Sequence, residues 1–470
     1  MTMLTLPNEY NPADVQGNIL RGYRREQVRH LILQVIDAAA ARRWIGRIVD
    51  GGGDVPAITT DEQWDIKPET CLNIGLTFTG LRAIGLSPAS LATFPDEFSV
   101  GMVARAVKIG DIGQSAPEHW DAPFADPDAV HVVATIHADD PAHLDRVEQQ
   151  LTAIAHGAFA LKAVRNGAAF DGDYVHFGYR DSISQPRFLG LHDPGPSDAQ
   201  PLAPIGSILL GYPTEYEGLS WTVPQPDPLG RNGTFNAFRI LAQDVAGFEA
   251  YLDSAATVLL REPLADELLP PGQEARIGAG FSRHQALREI VAAKMCGRWR
   301  NGVPLALSPD TPNPDPAVSL TDFEFSGGAH CPFGAHIRRS NPRGGMIVQR
   351  AARHTRRLIR RGIPYGERYD PAKPDGIERG LLGNFIGANI GAQFEALLCD
   401  WINLGLQDPQ ISGTNDPLIG ANFSATSRLD IPLPSGNIIR LLEIPRFVTT
   451  KGGAYTFLPG IPALRYIAGL

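Results

Sequence analysis

Cysteine is scarce in this chain. Cys71, Cys296, Cys331 and Cys399 are scattered through 470 residues with no Cys-x-x-Cys spacing, which removes the usual signals for a zinc cage or an iron–sulfur cluster. Free buried thiols in a reducing compartment are the plain reading. Long apolar runs are missing as well: nothing approaches the ~18 consecutive apolar residues of a membrane span. The opening Met-Thr-Met-Leu-Thr-Leu-Pro-Asn-Glu has no basic region followed by an apolar core. The expectation is therefore a cytoplasmic chain with no cleaved leader and no membrane partner. A net charge of −9 argues against a nucleic-acid partner, which needs a broad basic face. No Gly-rich fingerprint follows any expected strand, so a Rossmann or phosphate-loop site has little support.

One local absence points the other way. Between Ser326 and Gly366 there is no Asp or Glu, yet Arg338, Arg339, Arg343, Arg350, Arg353, Arg356, Arg357, Arg360 and Arg361 all fall inside that window. In an acidic protein such an inversion of sign either faces solvent or holds something anionic. Its stretch Cys-Pro-Phe-Gly-Ala-His-Ile-Arg-Arg-Ser-Asn-Pro-Arg (331–343) holds one imidazole, His336, among closely spaced guanidiniums.

The chain is long for a single core, and 43% hydrophobic content is ordinary for a globular protein. Alternation predicts strands over Val28–Ile36, Cys71–Phe78 and Val130–His137, the last with Val130, Val132, Ala134 and Ile136 on one face. Asp37 and Asp140-Pro141 read as helix starts. The helices they open carry Trp44, Ile45 and Ile48, and Leu144, Val147, Leu151 and Ile154, at helical spacing. A Pro-rich passage, Asp193 to Pro204, reads as a linker. The theme then returns, with strands over Thr234–Leu241 and Gly380–Ile390 and helices bearing Phe248, Tyr251 and Leu252, then Phe394, Leu397, Leu398 and Trp401. Two halves of similar grammar predict a duplicated α+β unit with antiparallel sheets and peripheral helices, divided as 1–200 and 201–470.

His336 has no Cys or His at metal-cage spacing. A single His nevertheless suffices for haem iron, because the porphyrin supplies four nitrogens. Haem also brings two propionates, which Arg338 and Arg343 are spaced to meet. A buried, hydrogen-bonded His beside solvated arginines remains open on residue types alone.

Two further strings bear on that choice. Phe177-Gly178-Tyr179-Arg180-Asp181-Ser182-Ile183-Ser184-Gln185-Pro186 places an acid in a Gly- and Pro-bounded loop. Leu358-Ile359-Arg360-Arg361-Gly362-Ile363-Pro364-Tyr365-Gly366 places an arginine before a turn. Together with His336-Ile337-Arg338 and the opening Asp14-Val15-Gln16-Gly17-Asn18-Ile19-Leu20, they resemble the dye-decolorizing peroxidase family. The resemblance spans most of the chain.

That resemblance implies two ferredoxin-like domains, with haem b on His336 in the second and Asp181 reaching over from the first. It implies a peroxidase that reduces hydrogen peroxide and oxidises dyes, phenols or other organic donors through a ferryl intermediate. Asp181 is then the proton carrier and Arg360 the distal cation, which stabilises charge on the departing oxygen and keeps Asp181 ionised. His336 needs an acceptor on its second ring nitrogen, and Glu395, in a segment resembling the family's late helix, is the expected partner. Tyr365 resembles a surface oxidation site for donors too bulky to enter. One departure is Ser182, where the family has Gly: if that position needs φ > 0, Ser strains the loop by roughly 1 kcal/mol. A haem-handling protein of the same fold with weak peroxidase activity, and a haem-free module docking an acidic partner, stay open at this point.

Overall fold

The protein is described here by a computed structural model covering residues 9–192, 202–214, 219–345 and 356–470. The first four strands are β1 (Gln27–Val35), β2 (Thr70–Leu76), β3 (Val132–Ala138) and β4 (Phe159–Ala168). Helix α1 (Ala38–Asp50) follows β1, α2 (Phe78–Ile84) follows β2 and α3 (Pro141–Ala155) connects β3 to β4. Every pairing is antiparallel, in the spatial order β4-β1-β3-β2.

The second half repeats the pattern. Strand β5 (Thr234–Gln243) leads into α4 (Val245–Leu259), α5 (Arg283–Cys296) and the short α6 (His336–Ser340), then β6 (Ile359–Tyr365) and β7 (Gly380–Gly387). Two abutting π-helical segments, Ile390–Glu395 and Leu397–Asn403, follow, a winding that is rare and concentrates at functional sites. The hairpin β8 (Leu429–Pro432) and β9 (Ile438–Leu441), strand β10 (Val448–Leu458) and α7 (Ile461–Ala468) complete the chain. Here the order is β10-β5-β7-β6. Each half thus places its fourth strand beside its first, then its third and second: a duplicated ferredoxin-like unit.

The halves share one sheet. Phe457 of β10 pairs with Leu76 of β2 at the seam. At the far edges β4 and β6 meet, so tightly that Gly167 has no room for a Cβ beside Ile363. The sheet therefore curls into a barrel in which His30 of β1 touches Phe238 of β5, ring centroids 4.9 Å apart. This explains a difference from the alternation reading of β3. Residues Val132 to Ile136 are all buried, because helices cover one face and the barrel interior takes the other.

Local chemistry sets the element ends. Asp37, Asp140 and Asp244 each accept a backbone N–H in the first turn of the helix they open. Strand β2 stops at Leu76 rather than Phe78 because Thr77 turns to cap α2, accepting from Gly80 N at 3.0 Å. Likewise β7 stops at Gly387, with Asn389 capping the segment that follows. Trp44, Ile45 and Ile48, and Leu144, Val147, Leu151 and Ile154, are buried as their spacing predicts, each removal from water contributing roughly 1.5–3 kcal/mol.

The opening signature has a structural use: Gln16 lies across the seam. Its amide donates to the carbonyls of Ile74 and Pro459 at 2.9 and 3.0 Å, and its oxygen accepts from Ile74 N. Among the described residues no helix is long and apolar enough to cross a membrane. The boundary expected at residue 200, most of the Asp193–Pro204 passage, and Arg350 and Arg353 lie outside the described residues.

Candidate active site

A cavity of about 370 Å³ opens against the sheet face of the second half, within the range that holds small molecules and cofactors. Leu241 and Leu381 contribute apolar wall from β5 and β7, and Phe394, Leu397 and Leu398 close it from the π-helical segments. His336, Arg343, Asp181 and Arg360, four residues singled out from sequence, all line it.

His336 begins α6. Its Nδ1 lies 2.9 Å from Oδ2 of Asp416, a carboxylate with no solvent exposure. The other oxygen of Asp416 accepts from the backbone N–H of Leu418 and Ile419 at 2.8 and 3.0 Å. Burial alone would raise the pKa of Asp416, yet the charge and hydrogen bond of His336, the nearby Arg339 and the backbone donor together hold it below the ordinary carboxylate value. An ionised carboxylate only accepts hydrogen bonds, so Nδ1 must carry the proton. In the neutral ring the lone pair is then on Nε2, which has no hydrogen-bond partner among the described residues.

Glu395, the partner expected from sequence, is therefore not the acceptor of His336. It is fully buried and takes hydrogen bonds from Arg105 Nε at 2.8 Å and Tyr455 Oη at 3.1 Å, with Lys108 Nζ at 3.0 Å. Its neighbour Phe394 faces the cavity, whereas Glu395 turns into the core against β10. Asp416 went unnoticed because it stands 80 positions from His336 in Asn415-Asp416-Pro417, which reads as an ordinary turn.

The two arginines offered for propionates divide. Arg338 does not line the cavity: two helical positions after His336, it is rotated by roughly 200° about the axis. Its guanidinium donates to the carbonyls of Gly327 and Cys331 at 2.6 and 2.8 Å and lies 4.2 Å from the Phe333 ring centroid. Arg343 does line the cavity, anchored by the carbonyls of Thr321 and Phe323 and stacked 4.0 Å from the ring of Phe323. Burial, reinforced by Arg298 and Arg357, pushes its pKa down to about 9, so an anion brought beside it would be welcome.

Much of the basic window is engaged internally rather than offered to a docking partner. Arg339 is buried and donates to carbonyls of Gly334, Trp401 and Thr414. Arg356 pairs with Asp400 at 2.7 Å, and Arg361 donates to the carbonyls of Asn18 and Ile19. Arg446, not singled out from sequence, also lines the cavity and has a buried guanidinium nitrogen without a partner among the described residues.

Asp181 and Arg360 are exposed to the cavity from separate segments. Asp181 sits in the loop after Tyr179, and its neighbour Ser182 has φ +58°, the left-handed conformation that Gly adopts without penalty. Arg360 lies on β6, with its guanidinium donating to Ser184 O. Tyr365, at the end of β6, is half-buried outside the cavity lining, and its Oη donates to Glu378 at 3.0 Å.

Among the described residues no three His, Cys, Asp or Glu side chains gather into a metal cage. A lone imidazole with a free Nε2, a largely apolar cavity and cations at its edge instead suit a haem, which brings four iron ligands of its own and two carboxylates.

Comparison with known proteins agrees. The profile of the DyP dimeric alpha+beta barrel domain matches residues 14–169. A dye-decolorizing peroxidase of Exidia glandulosa is 28% identical over 97% of this chain and 86% of its own length. A multifunctional dye peroxidase of Amycolatopsis is 28% identical over 96% and 95%. The solved structure of a dye-decolorizing peroxidase in complex with 2,6-dimethoxyphenol superposes with a TM-score of 0.79 at 27% identity, over 98% of this chain and 100% of the other. This likeness runs through both halves of the barrel and nearly the full length of these relatives, so the chain is similar throughout to the dye-decolorizing peroxidases.

Proposed function

We propose that the protein is a haem-dependent peroxidase that reduces hydrogen peroxide and oxidises phenols, dyes or other organic donors. The observation that carries this reading is the 2.9 Å bond between His336 and the buried Asp416, on a cavity also lined by Asp181 and Arg360. His336 would hold haem b through Nε2, and the chain has no Cys-x-x-Cys-His for covalent attachment. Bound there, the haem would supply the two-electron reduction of hydrogen peroxide, made good afterwards by electrons from organic donors.

The protein's own groups do the rest. Asp416 keeps the Nδ1 proton in place and makes the ring a stronger electron donor. Arg343 meets a propionate as that carboxylate leaves water. Asp181 takes a proton from one oxygen of hydrogen peroxide and delivers it to the other, which departs as water. The fixed charge of Arg360 stabilises negative charge on the departing oxygen. Tyr365 serves donors too large to enter, losing an electron at the surface while Glu378 accepts its hydrogen bond. The four cysteines are all free, three of them buried, which supports a reducing compartment and a cytoplasmic location.

The test is an absorption spectrum after purification with haem supplied, followed by peroxide-dependent oxidation of 2,6-dimethoxyphenol. The expected result is a Soret band that His336→Ala loses, with turnover in the wild type. No Soret band in the wild-type protein would overturn the reading.

A further inference from the structure

Glu395 is the residue that the proposed chemistry leaves unused. A carboxylate with no solvent exposure is costly to bury, and this one is surrounded by Arg105, Lys108 and the hydroxyl of Tyr455. Two cations already neutralise it, so the tyrosine is not needed for charge balance.

The tyrosines differ in what their hydroxyls face. Those of Tyr23, Tyr179, Tyr212 and Tyr251 donate to amide or peptide oxygens, which cannot hold a proton. Among the described residues three donate to carboxylates, which can: Tyr10 to Asp61, Tyr365 to Glu378 and Tyr455 to Glu395. Tyr365 is the surface candidate already named, and Tyr10 packs on Tyr212 outside the cavity lining. Tyr455 alone of these three has its ring against a side chain of the cavity wall: it meets Phe394 edge-on, centroids 6.0 Å apart. Tyr179 supplies the contrast, since it lines the cavity but its hydroxyl faces the carbonyl of Ala292.

Removing an electron from a buried phenol is prohibitive if the proton has nowhere to go, because a charged radical would be left in the core. A hydrogen-bonded carboxylate removes that obstacle. Its cations hold Glu395 below the usual carboxylate range despite burial, but an oxidised phenol is a far stronger acid than any carboxylic acid, so the transfer still runs from Tyr455 to Glu395.

We propose that Tyr455 is an internal redox-active residue and Glu395 its proton acceptor, storing one oxidising equivalent when no donor is at hand. This rests on the peroxidase reading, which supplies the oxidant. Tyr455 gives one electron through Phe394 to the site oxidised by hydrogen peroxide, and its O–H proton passes to Glu395. A neutral phenoxyl radical and a protonated carboxyl remain. One electron from an organic donor and the returning proton restore both.

The test uses the full-length haem-loaded protein in a Tyr365→Phe background, mixed with one equivalent of hydrogen peroxide without donor and frozen for electron paramagnetic resonance. The expected result is a tyrosyl signal that falls at least about tenfold on adding Tyr455→Phe. With Glu395→Gln it should form about a hundredfold more slowly. A carboxylic-acid C=O band should appear with the radical in infrared difference spectra and be missing in Glu395→Gln. If Glu395→Gln does not fold, Tyr455→Phe and slower radical formation in D2O carry the test. A signal indifferent to Tyr455→Phe, or peroxide consumed with no tyrosyl radical, would overturn the proposal. Failure to consume peroxide would overturn the peroxidase reading itself, and this inference with it.

Discussion

Gln185 and Arg360 are joined by a two-way hydrogen bond: the side-chain oxygen of Gln185 accepts from Arg360 N at 3.1 Å, and its amide donates to Arg360 O at 2.8 Å. Strand β6 is the last in the sheet order, so its outer backbone groups need partners, and Gln185 supplies them. Because Arg360 also donates to Ser184 O, the loop carrying Asp181 and the strand carrying Arg360 are tied together.

Gln185→Leu should therefore cost about 1 kcal/mol of stability, the worth of partly exposed hydrogen bonds. The larger expected effect is kinetic: displacing Asp181 from Arg360 by a fraction of an ångström should slow the reaction with peroxide about 10- to 100-fold. Stopped-flow measurement at an unchanged Soret band checks this, and an unaltered rate would mean that the clamp does not position the pair.

Ser182 tests the strain in the same loop. With φ at +58°, Ser182→Gly should be neutral to about 1 kcal/mol stabilising, as relief of strain competes with the flexibility of Gly in the unfolded chain. Ser182→Val should lose about 1–2 kcal/mol, since a β-branched side chain is an outlier there. Urea midpoints of the two variants decide it.

Asp416→Asn keeps a hydrogen-bonding group beside His336 and removes the charge. Haem should still bind with a Soret band, while the reaction with peroxide slows about 10- to 100-fold. Asp416→Ala strands Nδ1 and two backbone N–H groups in a buried site and should destabilise the fold by about 3 kcal/mol. An Asp416→Asn protein reacting at the wild-type rate would show that another feature sets the basicity of His336.

What the sequence disclosed and what it withheld follow from range. The duplicated α+β grammar was legible because strand alternation and helix caps are written within ten residues or so, as at Asp37, Asp140 and Asp244. That His336, Asp181 and Arg360 line one cavity could be anticipated because each sits in a distinctive local string. The Asp416 contact could not, since nothing near either residue encodes a pairing across 80 positions. Arg338 and Glu395 misled for a related reason: spacing along the chain was read as proximity, whereas helical phase turns Arg338 and Glu395 away from the cavity that their neighbours line.

Two histidines with a buried ring nitrogen, His30 and His137, predict a pH response unrelated to catalysis. Burial pushes His30 and His137 down to about 3, the latter helped by its proximity to His30. His30 Nε2 and His137 Nδ1 are buried without partners among the described residues, so neither ring has a place for an added proton. Unfolded, each titrates near about 6.5. Between these values the unfolded chain binds protons that the folded one refuses, so this stability is complete above about pH 6.5 and falls as the pH drops toward 3. The loss from pH 6.5 to 5 should be about 2 kcal/mol per histidine. His137→Gln should remove roughly half of the combined decline in urea midpoint, and an identical decline would refute the assignment.

On the proposed function, replacing Tyr365 should separate two routes for electrons. A donor small enough to enter the cavity has no need of it, because the residue lies outside that lining. A bulky dye must be oxidised at the surface, where the hydroxyl of Tyr365 is paired with Glu378 and Glu378 in turn faces Lys451 at 3.5 Å. Burial and the Glu378 carboxylate raise the pKa of Tyr365, so it stays protonated at working pH and can lose its proton only together with an electron. Tyr365→Phe should lower kcat for a large dye about tenfold or more while leaving a small phenol within about twofold. Glu378→Gln should reproduce the dye defect with the tyrosine intact, a result that loss of ring packing alone cannot give. Equal losses on both donors would place Tyr365 among residues that merely support β6, and the surface route would have to start elsewhere.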